Sequence, residues 1–434
     1  LFHQTNSGGV GVDPSFSLKP VRPADQAAVR RTNLALVLRH LRDAGSRSRA
    51  GIAADTGLNK ATVSSLVSEL VDRGLAREGE RERAGSVGRP GTIVELDGRG
   101  VGGIGVEINV DYLTALALDL TGTVLFEQRV ALDVQALPVE KVLDAGAELT
   151  ARALRECRRL GVVPAGVTVG IPALVDVTSG NVAFAPNLHW TEVPVVRGIT
   201  ERLTRRLGPP SFPIRTANDA NLGALGEYAM GSVAGTADLV YLTGEIGVGG
   251  GVISGGRLLG GAGGFAGEIG HIQLDPAGRV CGCGRRGCWE TLVGLAGMLR
   301  LAASPNDPVH DPSLDLEQRL DMIRRRAQLK DKRTLDALAQ VGTGLGVGAA
   351  VLINVFNPRV VLLGGYFAQL GPYLLGPMMT ELEARVVAPA IGGCRVELSW
   401  LGFSAASRGG AHVALQAVFD DPALVPVGAE RDSG

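Results

Sequence analysis

The stretch Cys281-Gly-Cys-Gly-Arg-Arg-Gly-Cys288-Trp-Glu290, with Glu268-Ile-Gly-His271 ahead of it, decides how the rest of the chain is read. Three of the chain's five cysteines fall within it. Glycines between closely spaced thiols let the backbone fold back until the sulfurs converge, and a soft cation of tetrahedral preference takes thiolates together with an imidazole. His271, Cys281, Cys283 and Cys288 therefore read as a Cys3His zinc set. Four protein donors leave no open coordination position, so the expected Zn2+ is structural. The competing reading is a loop of free or disulfide-bonded cysteines. It is weaker, because cysteines one residue apart bridge only with strain, and five cysteines in 434 residues make no secreted disulfide framework.

A chain of 434 residues with 45% hydrophobic and 20% charged residues is an ordinary globular protein too long for one core. Its 62 glycines are the unusual count; they cluster between Gly244 and Gly287, as expected where backbone turns tightly around a small ligand. The formal charge of −1 hides an asymmetry. Residues 19–99 carry 15 Lys and Arg against 10 Asp and Glu, whereas residues 100–434 carry 28 against 33. A basic head on an acidic body implies that only the head meets nucleic acid. No basic start followed by an apolar run suggests a signal peptide, so a cytoplasmic location is expected, with no membrane partner. The uncharged stretch Val341–Pro358 just reaches membrane-spanning length. Its four glycines, Thr343 and two asparagines favour a buried helix running into a strand. Residues 1–18 show no periodicity; they read as a disordered arm or a cloning remnant and are assigned no role.

In the head (19–98), Leu34, Leu38 and Leu41 mark a first helix ending near Gly45. A second spans roughly Ser48 to Thr56, and Asn59 caps a third that begins at Lys60. On the third, Val63, Leu66, Val67 and Leu70 form the core stripe, leaving Lys60, Thr62, Ser64 and Ser65 for the major groove of an operator. Strand-like runs at 75–79 and 92–96 bracket a segment carrying Arg81, Arg83 and Arg89, which completes a winged helix-turn-helix. The compact Gly88-Arg-Pro-Gly91 suits an A·T-rich minor groove or, equally, a solvated hairpin.

The body begins as a β-meander over 104–130, then a helix near 139–160, a buried strand 167–171, and a long loop from Pro172 to Trp190. A helix at 195–207 and the segment Ile214 to Ala217 close a first α/β lobe (101–217), and Asn218-Asp219 leads into the next helix. A second meander from Leu239 opens a second lobe (218–403) that holds the knuckle, and a last helix at 404–420 is expected to pack back on the first lobe. Two lobes with similar openings suggest an old duplication.

Taken together, these residues resemble the ROK family of repressors, open reading frames and sugar kinases, over about residues 101–420. Glu268-Ile-Gly-His271 and the cysteine run look like its two signatures, in order and suitably spaced. The resemblance implies an α/β, two-lobed actin-like ATPase (ribonuclease H-like) domain, here preceded by an α+β winged helix-turn-helix domain. It also implies a sugar cleft between the lobes. Asn187 matches a sugar-contacting asparagine, and Asn218 and Asp219 match the pair that binds sugar hydroxyls, the aspartate being the kinases' general base. Glu268, His271 and Glu290 match the remaining polar contacts, with one His271 nitrogen on zinc and the other facing the ligand. Carboxylates and amides facing a cleft suit a ring of hydroxyls, each donor and acceptor; for each residue singly, a capping or turn role is the alternative. Trp190 and Trp289 are expected to border an apolar sugar face.

Family kinases cradle phosphate with Asp-x-Gly-Gly-Thr and Gly-Thr-Gly-x-Gly turns. This chain has Glu107-Ile-Asn-Val-Asp111 and Glu245-Ile-Gly-Val-Gly249, so side chains and a carboxylate stand where phosphates would lie. The resulting expectation is a sugar-responsive repressor without kinase activity, acting as a homodimer or homotetramer on double-stranded operator DNA. The alternatives are a bifunctional sugar kinase with a DNA-binding head, and a zinc-dependent DNA-binding protein with no small ligand.

Overall fold

The computed structural model describes residues 25–81, 92–176 and 178–428, with the side chains of Glu80 and Arg81 excluded. The expected arm 1–18, Arg83, Arg89 and the Gly88–Gly91 segment lie outside the described residues. The head consists of α1 (Gln26–Ala44), β1 (Arg47–Ser48), α2 (Arg49–Thr56), α3 (Lys60–Asp72), β2 (Ala76–Arg81) and β3 (Thr92–Leu96), with β1 and β2 both paired to β3. Each helix begins on a side-chain cap, Asp25, Ser48 and Asn59 in turn, and Gly57 ends α2 in the left-handed conformation.

The first lobe follows. β4 (Val101–Ile108), β5 (Tyr112–Asp119) and β6 (Val124–Ala131) form the antiparallel meander, and α4 (Val139–Arg159) returns the chain to β7 (Val163–Ile171), parallel to β4. The segment expected to be a loop after Ile171 instead holds a small sheet of β8 (Leu174–Asp176), β9 (Asn181–Ala185) and β10 (Trp190–Val193). These strands are too short for a period-2 pattern to stand out, although Val175, Val182 and Ala185 are buried. Next come α5 (Val195–Leu207) and β11 (Ile214–Asn218), parallel to β7.

The second lobe begins with α6 (Asp219–Met230), β12 (Leu239–Gly244), β13 (Val248–Ser254) and β14 (Arg257–Leu258). It continues through α7 (Trp289–Val293), α8 (Leu295–Ala302), α9 (Leu316–Gln328), α10 (Lys332–Phe356) and β15 (Val360–Gly364), then α11 (Gly365–Gln369), α12 (Gly371–Arg385) and β16 (Arg395–Leu398). The two large sheets run β11-β7-β4-β5-β6 and β16-β15-β12-β13-β14. Each is an antiparallel meander extended by two parallel strands, which is the repetition suspected from the two similar openings. α10 is long and apolar enough to cross a membrane, yet it packs on α12 so closely that a Cβ on Gly342 or Gly346 would lie 2.5 Å from a carbonyl oxygen of that helix.

The last helix, α13 (Ala405–Asp420), lies on the first-lobe sheet and crosses α6. Its far half joins Leu34, Leu38 and Leu66 of the head and Leu116 and Leu118 of β5 in one buried cluster. The head is thus built onto the first lobe. α6 also carries Glu227, fully buried, with Ser399 Oγ donating to one oxygen and the other left without a partner. Burial pushes this carboxyl up to about 7 from an ordinary 4.5. The folded chain therefore holds a proton that the unfolded chain has released. The stability this contributes is present below the ordinary value and is lost as pH rises through about 7. Glu227→Gln is expected to stabilise the protein by about 2 kcal/mol at pH 8 and by almost nothing at pH 4, as read by thermal denaturation at both pH values.

Candidate functional site

A cavity of about 190 Å3 opens between the lobes. The ends of β7 and β9, the start of α6, the β12–β13 turn, the Glu268–His271 turn and the cysteine knuckle converge on it. Asn187, Asp219, Glu268, His271 and Glu290 all line it, brought together from positions scattered over more than a hundred residues of sequence. Asn218 does not. Its Oδ1 accepts from Asn221 N at 2.9 Å and its amide donates to the Ala173 carbonyl at 3.3 Å, so it caps α6 and holds Asp219 in place. A larger cavity, about 400 Å3, lies between the end of α3 and the first lobe and contains none of these residues.

The cleft is crowded with carboxylates. Burial pushes Asp219 up to about 6, even though its Oδ1 accepts from Ala220 N at 2.8 Å at a helix N-terminus. Burial likewise pushes Glu268 up to about 7, with the charges of Asp219 and Glu290 adding to the effect. Buried carboxyls that are costly to ionise are ready to exchange hydrogen bonds with hydroxyl groups. Phe184, which sequence reading missed, lines the same cavity and is 37% exposed. It supplies the apolar surface expected from the tryptophans. Trp289 is instead fully buried, its Nε1 donating to Gly344 O at 2.8 Å and its indole leaving no room for a Cβ on Gly348; Trp190 is buried in the first-lobe core. Aromatic type was legible from the sequence, whereas the side that each ring faces was not.

The knuckle brings together the donor atoms of His271, Cys281, Cys283 and Cys288, all within 4.8 Å of one another. Cys283 Sγ lies 3.7 Å from Cys288 Sγ, and Cys281 Sγ lies 3.6 Å from His271 Nδ1. A tetrahedron with Zn–S bonds of about 2.3 Å and a Zn–N bond of about 2.0 Å has edges of about 3.8 and 3.5 Å. The donors therefore fit a metal. Gly284 and Gly287 take positive φ to close the turn, and Trp289 N donates to Ile272 O at 2.8 Å, tying the knuckle to the His271 turn. Glu290 Oε1 accepts from the Cys281 thiol at 2.7 Å, and burial together with this carboxylate pushes that thiol up; a dication among the donors would act in the opposite sense. His271 Nε2 faces Glu268, 3.9 Å away on the cleft side.

The segments that begin at Glu107 and Glu245 tie the lobes together. Tyr112 OH lies 2.7 Å from Glu107 Oε1 and 2.9 Å from Glu245 Oε2, and Asn109 Nδ2 donates to both carboxyls. One hydroxyl proton cannot satisfy two carboxylates. Burial pushes both glutamates up, Glu107 to about 7 with the charge of Asp219 adding to the effect and Glu245 with the charges of Glu107 and Asp219 adding, so the cluster retains a proton. Nearby, buried Arg319 pairs with Asp111 across the lobes at 2.7 Å.

On the head, Lys60 and Ser64 are exposed at the start of α3, and Thr62 is half-buried. Ser65 is exposed, but its Oγ accepts from Arg30 at 3.1 Å, which partly occupies it.

The ROK family profile matches residues 103–417, and the IclR helix-turn-helix domain matches residues 32–80. The chain is 29% identical to the xylose repressor of Bacillus spizizenii, over 92% of this chain and 98% of that one. It is also 29% identical to the DNA-binding transcriptional dual regulator NagC of Escherichia coli, over 84% and 85%. Among solved structures, a ROK family transcriptional regulator homologous to the E. coli MLC protein shares the fold at a TM-score of 0.71, with 24% identity over 90% of this chain and 97% of that one. A ROK glucokinase from Streptomyces griseus, in complex with glucose and AMPPNP, matches at 0.60 and 28% identity over 73% and 99%. With a profile match over most of its length and an IclR-type helix-turn-helix at its head, this chain belongs to the ROK family.

Proposed function

We propose that this chain is a sugar-responsive transcriptional repressor that binds double-stranded operator DNA through its head and a sugar in the cleft between its lobes. The observation that carries this reading is the convergence of Asn187, Asp219, Glu268, His271 and Glu290 on one cavity in a chain with a helix-turn-helix head. Lys60, Thr62, Ser64 and Ser65, with Arg81, Arg83 and Arg89 of the wing, are the proposed DNA contacts. The relatives named for xylose and N-acetylglucosamine make D-xylose, N-acetylglucosamine and glucose the first sugars to test. Zn2+ in the knuckle would supply rigidity and no chemistry. His271 would hold it through Nδ1 and leave Nε2 for the cleft. Glu107, Asn109 and Glu245 stand where kinases cradle phosphate, which argues against phosphoryl transfer. Two half-sites call for a homodimer or homotetramer acting in the cytoplasm.

A thermal-shift screen with the three sugars tests the cleft. A binding sugar at a hundred times its Kd should stabilise the protein by about 2.7 kcal/mol, and no shift with any of them would favour a DNA-binding protein without a small ligand. Phe184→Ala is expected to weaken sugar binding about tenfold by removing the apolar platform, as measured by calorimetry, with operator affinity unchanged.

A further inference from the structure

Two helices, α6 and α13, link the cavity between the lobes to the head. Asp219 begins α6, a helix of the second lobe. α6 then crosses α13 with backbone against backbone. A Cβ on Gly409 would lie 1.8 Å from the Leu222 carbonyl oxygen, and one on Gly226 would lie 2.6 Å from that of Ala405. On its opposite side α13 is pressed just as hard onto the first-lobe sheet, where a Cβ on Gly105 would lie 1.7 Å from the Ser407 carbonyl oxygen. Beyond this crossing, α13 runs into the core of the head. The Arg42 guanidinium of α1 lies 4.8 Å from the centre of the Phe419 ring and donates to Gln416 at 3.3 Å.

We propose that α13 is the element that reports sugar occupancy to the head: α6 moves with the sugar, and the glycine crossing passes that movement to α13 and so to α1. A crossing without side chains cannot absorb displacement by rotamer changes. A shift of α6 must either slide along α13 or carry it. The first-lobe sheet blocks α13 from retreating. The remaining freedom is along its own axis, toward the head. This proposal rests on the sugar-repressor reading and adds its route.

The test measures two affinities in each variant, with the full chain and its metal. Sugar affinity for D-xylose, glucose and N-acetylglucosamine is read by calorimetry. DNA affinity, with and without saturating sugar, is read by anisotropy on a duplex that the wild-type chain selects from a random-sequence pool. In the wild type, sugar should weaken DNA binding at least tenfold. Gly409→Ala forces α6 and α13 apart at the crossing and, where it folds, is expected to reduce the sugar effect on DNA to less than twofold. Arg42→Ala loosens the α13–α1 end without touching the crossing and should also reduce that effect, which keeps the test open if Gly409→Ala does not fold. Full sugar-dependent release by Arg42→Ala and any folded Gly409→Ala protein would overturn the helical route alone. A wild-type chain that binds none of the three sugars would overturn both the route and the function on which it rests.

Discussion

Cys288→Ser is expected to release the metal, lower the melting temperature by about 10 °C and weaken sugar binding more than a hundredfold, while the head still binds DNA. Cys288 is fully buried, with its sulfur 3.7 Å from that of Cys283. A serine hydroxyl is a poor ligand for zinc, and the three remaining donors would crowd together without a cation to neutralise them. Structural zinc contributes about 10 kcal/mol or more in small domains that depend on it. Here the knuckle is also held by Trp289 in the second-lobe core, so only part of such a sum is at risk. A loss of about 4 kcal/mol corresponds to a shift of roughly 10 °C in a domain of this size. The head and its packing on α13 form a separate cluster and should survive. Metal content by atomic spectroscopy and affinity by calorimetry decide the matter. A zinc-free variant with wild-type sugar affinity would separate the knuckle from the cleft.

The knuckle was legible because it is local: three thiols within eight residues leave few geometries. The head was legible because its helices announce themselves by cap and stripe, with Asn59 and the Val63–Leu70 face standing where periodicity puts them. What the sequence hid are relations between distant positions. Nothing near Glu107 indicates that its carboxyl shares Tyr112 with Glu245, because that contact exists only when two lobes meet. Asn218 and Asp219 are adjacent and similar in chemistry, yet one caps α6 and the other faces the cavity; a one-residue step along a helix start rotates the side chain by about 100°. Trp190 and Trp289 read as sugar platforms on residue type alone, while Phe184 sat unnoticed in a segment taken for a loop. Composition suggested a separate basic head. The continuous core through Leu38, Leu118 and Leu415 shows it fused to the first lobe.

Asp219→Asn is expected to weaken sugar binding by one to two orders of magnitude and to leave DNA binding and fold intact. One carboxylate oxygen is already engaged by Ala220 N at 2.8 Å, which leaves the other for a sugar hydroxyl. An amide that keeps the first contact through its oxygen presents only an N–H donor in the second place. Losing a charge-assisted hydrogen bond in a buried site costs about 1.5–3 kcal/mol, the origin of the expected factor. The pH dependence supplies an independent signature. Burial holds the Asp219 carboxyl at about 6, so the ionised acceptor is present above that value and is lost as pH falls through it. Wild-type sugar affinity should therefore decline below pH 6, and the component of that decline due to this residue should vanish in the asparagine variant. The same protein settles the enzymatic alternative. With ATP and each of the three sugars, the wild type is expected, on the proposed reading, to show no turnover above background. Turnover that disappears in Asp219→Asn would identify this aspartate as a working general base and make the chain a kinase with a DNA-binding head.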